Sequence, residues 1–191
     1  MARKTNRPRK GRRARGARGL ITRAALPGTA NAPRTVLATL KYSQIITLTN
    51  SGTFGLTTSH VFNACSLFDP DYTGTGHQPM GFDQLAALYN HYTVAKARIT
   101  AEFIGDNRAY TALAAIMPRD STTPVTVAEQ VLEQPLTRSI TLTGGQGPTS
   151  KGTLSMTVIP HKWFGSKLLA KDQLTANIAS SPTEAVYFHL V

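Results

Sequence analysis

From Val36 onward the chain alternates. In VLATLKYSQIITLT, Val36, Ala38, Leu40, Tyr42, Ile46 and Leu48 share one parity, broken only by Gln44, while Thr39, Lys41, Ser43, Thr47 and Thr49 lie mostly opposite. Successive side chains of a strand point to opposite faces, so this period of two predicts a strand with one apolar face. TVAKARITAEF is stricter still: Ala95, Ala97, Ile99, Ala101 and Phe103 alternate with Lys96, Arg98, Thr100 and Glu102. One face of that strand is expected to be buried and the other wet.

Further β-like runs are FGLTTSHVFNACSLF from Phe54, AYTALAAIM from Ala109, LTRSITLT from Leu136, GTLSMTVIP from Gly152 and AVYFHLV from Ala185, which brings the candidate strands to seven. Clusters of Gly, Pro, Asn, Asp and Ser separate them. Helical spacing is scarce. GFDQLAALYNHY places Phe82, Leu85, Tyr89 and Tyr92 on one stripe, and TVAEQVLEQ offers a turn or two ended by Pro135. Many strands with helices only as insertions predict an all-β fold, an antiparallel sandwich of which the jelly roll is one form.

The chain of 191 residues, 41% of them hydrophobic, suffices for one globular domain plus a tail. Its net charge of +11 is not spread evenly. Eleven of the 21 basic residues, namely Arg3, Lys4, Arg7, Arg9, Lys10, Arg12, Arg13, Arg15, Arg18, Arg23 and Arg34, precede Thr35, and the first of the ten acids is Asp69. Residues 35–191 are therefore formally neutral, and the sequence reads as two parts, a basic arm over 1–34 and a domain over 35–191. A compact helical DNA-binding protein would carry its charge on its docking face instead. The arm has too few large apolar side chains to offset the entropy of ordering, so it is expected to be disordered when unbound.

An arginine-rich segment binds nucleic acid by neutralising phosphates and releasing counterions. If all eleven charges engage a single strand, log K falls against log salt with a slope of roughly −7 to −8. No aromatic residue occurs in Met1–Pro33, so base stacking is absent from the arm and sequence preference should be weak. The cluster Arg7, Arg9, Lys10, Arg12, Arg13 and Arg15 also has the composition of a nuclear localisation signal, read by the acidic groove of a nuclear import receptor.

Catalytic chemistry is not promoted by any pattern. His60, His77, His91, His161 and His189 are well separated, with no metal-ligand spacing, and the lone Cys65 allows neither an internal disulfide nor a cysteine zinc site. GQGPTSKG, residues 145–152, resembles a phosphate-cradling loop only at Lys151, because Ser150 and Gly152 stand where the motif needs Gly and Ser/Thr, and both flanks read as strands. Asp69 and Asp71 in FDPDYTG read as turn residues. The expectation is a non-enzyme with no cofactor, no metal and no membrane insertion: no apolar stretch follows the basic N-terminus as in a signal peptide, and no run is long enough to span a bilayer.

Three stretches, HQPMGFDQLAALYNHYTVAKARITAEF from His77, VIPHKWFG from Val158 and EAVYFHLV from Glu184, resemble the capsid proteins of small circular single-stranded DNA viruses that encode a replication initiator, the circovirus-like group. In that family a GFDQ-like segment leads through a short helix with a YN and a second Tyr into a basic alternating strand; here these are Gly81–Gln84, Tyr89, Asn90, Tyr92 and Val94 onward. The resemblance spans about Val36–Val191. It implies a single jelly roll, an arm facing the shell interior, a homo-oligomeric icosahedral shell, packaging of a single-stranded DNA genome and residence in the virion and, during assembly, the host nucleus. A host cell-surface receptor is implied without being specified.

The family continues beyond an apolar strand such as VYFHLV through one more, and seven candidates are one short of an eight-stranded jelly roll. The last strand is accordingly expected to be missing through truncation, or supplied by another element or a neighbouring subunit. The alternative to a capsid protein is a basic-tailed nucleic-acid-binding protein of ribosomal or chromatin type, which predicts basic residues on the folded body as well.

Overall fold

The computed structural model describes residues 33–49, 59–105, 111–125, 127–143 and 150–191. Contacts divide the chain into two units, Met1–Ala38 and Thr39–Val191. Of the first, residues 33–38 are described and all are exposed; the predicted disorder of the arm before them lies outside the described residues.

The regular elements described in the second unit are mostly strands. In chain order they are β1 (His60–Asn63), β2 (His91–Thr93), β3 (Ala97–Ile104), β4 (Ala112–Arg119), β5 (Arg138–Leu142), β6 (Lys151–Val158), β7 (Thr175–Asn177) and β8 (Tyr187–Leu190). Three short helices, α1 (Phe82–Ala86), α2 (Ala128–Glu133) and α3 (Pro160–Trp163), and a 3₁₀ turn at Asp172–Leu174 interrupt them. One sheet has the order β1-β8-β4-β5, and β2-β7 and β3-β6 form separate pairs; every pairing is antiparallel. The fold is all-β, as the alternation predicts.

The core follows from side-chain parity on β4. Ile116 joins a cluster with Phe188 and Leu190 of β8, with Ala64, Cys65 and Val186 from the segments that adjoin β1 and β8, and with Met156 and Val158 of β6. Ala97, Ile99, Ala101 and Phe103 of β3 pack against that cluster, so it lies between the sheet and the β3-β6 pair. The opposite parity, Ala115 and Met117, joins a second cluster with Val125, Val131 of α2 and Val191. β4 is thus covered on both faces, which explains its unbroken apolar run. Pro118 is accommodated because the β4-β5 ladder ends at Ile116.

Four expectations are corrected. Strands number eight among the described residues rather than seven: β2 and β7 add two, and 36–49 joins no ladder there. That segment still alternates as its sequence does, with Leu40, Tyr42, Gln44, Ile46 and Leu48 half-buried and their neighbours exposed, Ile45 at 99%. The run VYFHLV, after which a missing strand is expected, is paired on both sides: β8 lies between β1 and β4, and Val191 exchanges backbone hydrogen bonds with Ala115. The predicted helix of GFDQLAALYNHY is only α1, and Tyr92 of its stripe belongs to β2. The chain turns out of helix after Ala86 because only Phe82 of α1 is buried, too little apolar contact to hold further turns.

Candidate nucleic-acid interface

Of the predicted phosphate-binding residues, Arg3, Lys4, Arg7, Arg9, Lys10, Arg12, Arg13, Arg15, Arg18 and Arg23 lie outside the described residues, and with them the whole nuclear-localisation cluster. Arg34 is described and exposed.

A second group of cations is assembled by the β3-β6 pair. In the register Arg98 faces Thr157, Thr100 faces Ser155 and Glu102 faces Thr153, and these exposed or half-exposed side chains stand on the face away from the core. Arg98 Nε donates to Ser155 Oγ at 3.0 Å, and Thr100 Oγ1 donates to the same oxygen at 3.2 Å. The guanidinium is thereby tied to β6 through Nε. β5 runs close beside β6 because Gly152 has no side chain: a Cβ there would meet Ile140 Cδ1 at 2.3 Å.

The chain leaving β6 enters α3 in PHKWFGS, which carries its own start and stop. Pro160 occupies the first helical turn, where no N–H is needed, and Gly165 takes φ 64° after the end. Gly165 N donates to Lys162 O at 3.1 Å and Ser166 N to His161 O at 2.7 Å, the paired bonds of a Schellman closure. This fixes Lys162 and Trp163 beside the end of β6. Together with Arg98, Arg138 at the start of β5, Ser155 and Thr157, they line an open cleft of about 610 Å³, which also includes Leu136, Pro118 and the backbone run Met156–Ile159. Among the described residues no carboxylate lines it. Leu136 is exposed and held at φ 66°, a left-handed conformation that costs a residue with a Cβ about 1–2 kcal/mol.

Asp71 is more than the turn residue expected. It is fully buried, and its loop covers the outer edge of β1: Asp71 bridges Phe62, and Asn63 N donates to Pro70 O at 2.8 Å. Its Oδ1 accepts from Thr73 N (3.0 Å) and Thr73 Oγ1 (2.8 Å) and lies 3.0 Å from His60 Nε2, while Oδ2 accepts from Gln44 Nε2 at 2.8 Å. Burial opposes ionisation, but the bonds from Gln44 and Thr73 and the nearby His60 prevail and hold the carboxyl below its ordinary range. Gln44, the polar break in the apolar parity, is there to reach this carboxylate; Tyr42 donates to Gln44 Oε1. The arrangement is a structural hub.

The remaining candidates stay apart. His77 is exposed, with Nδ1 against Gln78 O at 2.8 Å and Nε2 against Ser43 O at 3.0 Å, and these two carbonyls push its pKa up. His189 is buried in β8 against Ser121 O, 2.7 Å. Cys65 is buried and its thiol is pushed up to about 11 by desolvation, which makes it unreactive. Among the described residues no group of three His, Cys, Asp or Glu could hold a metal ion, and no helix is long and apolar enough to cross a membrane.

The cleft was not read from the sequence, where Arg98, Arg138 and Lys162 are distant and the charges of the body cancel. The Pro-to-Gly framing of HKW was a readable signal for α3. Comparison of the chain with protein-family models, curated proteins and solved structures found no match.

Proposed function

We propose that the protein is a viral capsid subunit, which self-assembles into a small icosahedral shell through a jelly-roll body and packages a circular single-stranded DNA genome with its basic arm. The observation that carries this reading is the division of charge: the arm holds the entire net charge and the body is neutral. A shell needs a self-complementary body and an interior that offsets phosphate, and the two needs are met by separate segments here. An arm of about 34 residues reaches at most roughly 110–120 Å when extended, far enough to probe an enclosed volume.

The pairing of strands remote in sequence supports a jelly roll: among the described strands β1 and β8, the first and last, lie side by side, mid-chain β4 and β5 complete their sheet, β3 and β6 pair across the core from it, and β2 and β7 form a third group. The role is structural rather than catalytic. The arm's Arg7–Arg15 cluster serves nuclear import, which places the subunit in the host nucleus during assembly and in the virion afterwards.

Electron microscopy of the purified full-length protein tests this reading. Uniform closed shells containing nucleic acid are expected, and a variant lacking residues 1–34 should form shells with no nucleic acid inside. The alternative, a basic-tailed binding protein, draws support from the basic cleft of the body; a monomer that binds one defined RNA and never closes into shells would establish it instead. A log K against log salt slope near −1, in place of roughly −7 to −8, would remove the arm from the interface.

A further inference from the structure

The cleft between β3, β5 and α3 gathers three cations in a body whose charges cancel in total. Arg98 is held by Ser155 through Nε, and among the described residues Arg98, Arg138 and Lys162, all exposed, make no ion pair. By contrast Lys171 of the same body is paired with Glu184. Beside these cations Trp163 packs against the core and lines the cleft with its remaining surface. The volume lies within the about 300–1,000 Å³ typical of ligand clefts.

Unpaired guanidinium and ammonium groups suit phosphodiester oxygens, with which they form charge-assisted hydrogen bonds. Ser155 and Thr157 add hydroxyl donors. An indole next to such a charge cluster is the platform on which a nucleobase stacks, and stacking tolerates any base. We propose that this cleft is a nucleic-acid site separate from the arm, taking one nucleotide unit of a single strand with its phosphate against Arg98, Arg138 and Lys162 and its base on Trp163. The site goes beyond the shell reading and does not depend on it: a subunit that fails to close into shells could still bind here, and shells could form without it.

Trp163 is the sole tryptophan and Met1–Pro33 contains no aromatic residue, so indole emission from the full-length protein reports the cleft and not the arm. Titration with a short poly-dT oligonucleotide should quench that emission, whereas an abasic oligonucleotide of equal length should bind without quenching. Arg138→Ala and Lys162→Ala should each move the quench midpoint about tenfold toward weaker binding. Together they should reduce the magnitude of the salt slope by about 0.7, as expected for one phosphate on a single strand. Both side chains are exposed, and unchanged thermal melting will show that the variants fold. Poly-dT that binds by anisotropy without quenching Trp163, or quenching that survives in the double variant, would overturn the proposal. Equal quenching by the abasic strand or by a sulfated polysaccharide would overturn it too, by making the cleft a site for polyanions in general.

Discussion

β4 and β3 are strands of equal length in the same body, yet they solve opposite problems. β4 runs through the middle of its sheet with Ile116 on one cluster and Ala115 and Met117 on the other, and α2 supplies Val131 to close the second face. β3 has a covered face and an uncovered one: Ala97, Ile99, Ala101 and Phe103 pack inward, while Arg98, Thr100 and Glu102 meet solvent. The difference comes from the cover that Val125, Val131 of α2 and Val191 lay over the second face of β4, while the outer face of β3 is exposed. Where the cover is present the sequence becomes continuously apolar and available only for stability. Where it is absent, polar side chains are free to vary and to bind.

The comparison breaks most readily at the centre of β4. Ile116 is fully buried in the cluster shared with Phe188, Leu190 and Met156, so Ile116→Ala leaves a cavity that its neighbours fill only in part. A loss of about 2–5 kcal/mol in unfolding free energy is expected from chemical denaturation. A loss below 1 kcal/mol would show that the two layers are not packed to native density around this side chain.

The junction between the layers comes next. Gly152 lets β5 approach β6, and Ile140 fills the space that a side chain would need. Gly152→Ala should destabilise by about 1–3 kcal/mol through overpacking, and adding Ile140→Val should recover part of the loss. Strict additivity of the two substitutions would mean that the contact does not set the spacing of the strands.

Two histidines, one inside the covered sheet and one in an exposed loop, differ in how they respond to acid. His189 lies inside the covered sheet; burial depresses its pKa, the Ser121 carbonyl pulls the other way and the charge of Arg119 adds to the depression. The unfolded ring titrates near 6.5, so below about that pH the unfolded chain takes up a proton that the fold resists. This contribution is complete above about pH 6.5 and is lost as pH falls toward the folded value. Exposed His77 has the opposite sign: its raised pKa gives stability that is full below about 6.5 and fades as pH rises through the folded value. Denaturation midpoints between about pH 8 and pH 5 should therefore fall less steeply with acid in His189→Gln than in the wild type, and more steeply in His77→Gln. Equal slopes in all three proteins would show that neither ring is coupled to folding.

Much of this contrast was legible in the residues. The strict alternation of TVAKARITAEF describes β3 nearly as it stands, and the runs at β4, β5, β6 and β8 were all found, because period-two burial leaves its mark directly on composition. The three-residue β7 left no such mark. It is held by pairing with β2 and by the 2.7 Å contact between the Thr93 and Thr175 hydroxyls, which involves no apolar pattern. Asp71 was hidden for a related reason: an Asp beside Pro and Gly reads as a turn, and only the fold brings Gln44 and His60 to it. The cleft was least legible, since charge totals average over a surface and its three cations come from β3, β5 and α3.

The smallest effect tests the uncovered face itself. Thr100 sits opposite Ser155 in the β3-β6 register and gives it one exposed hydrogen bond of 3.2 Å. Solvent replaces such a bond readily, so Thr100→Ala should change unfolding free energy by less than about 0.5 kcal/mol. The same substitution discriminates between an open face and one that is covered on assembly. If subunits pack over β3 and β6 in a shell, Thr100→Arg, nearly neutral in the dissociated subunit, should sharply reduce shell yield in electron micrographs. If it alters neither folding nor assembly, the face remains wet in both states and is left to ligand binding, as the cations around it favour.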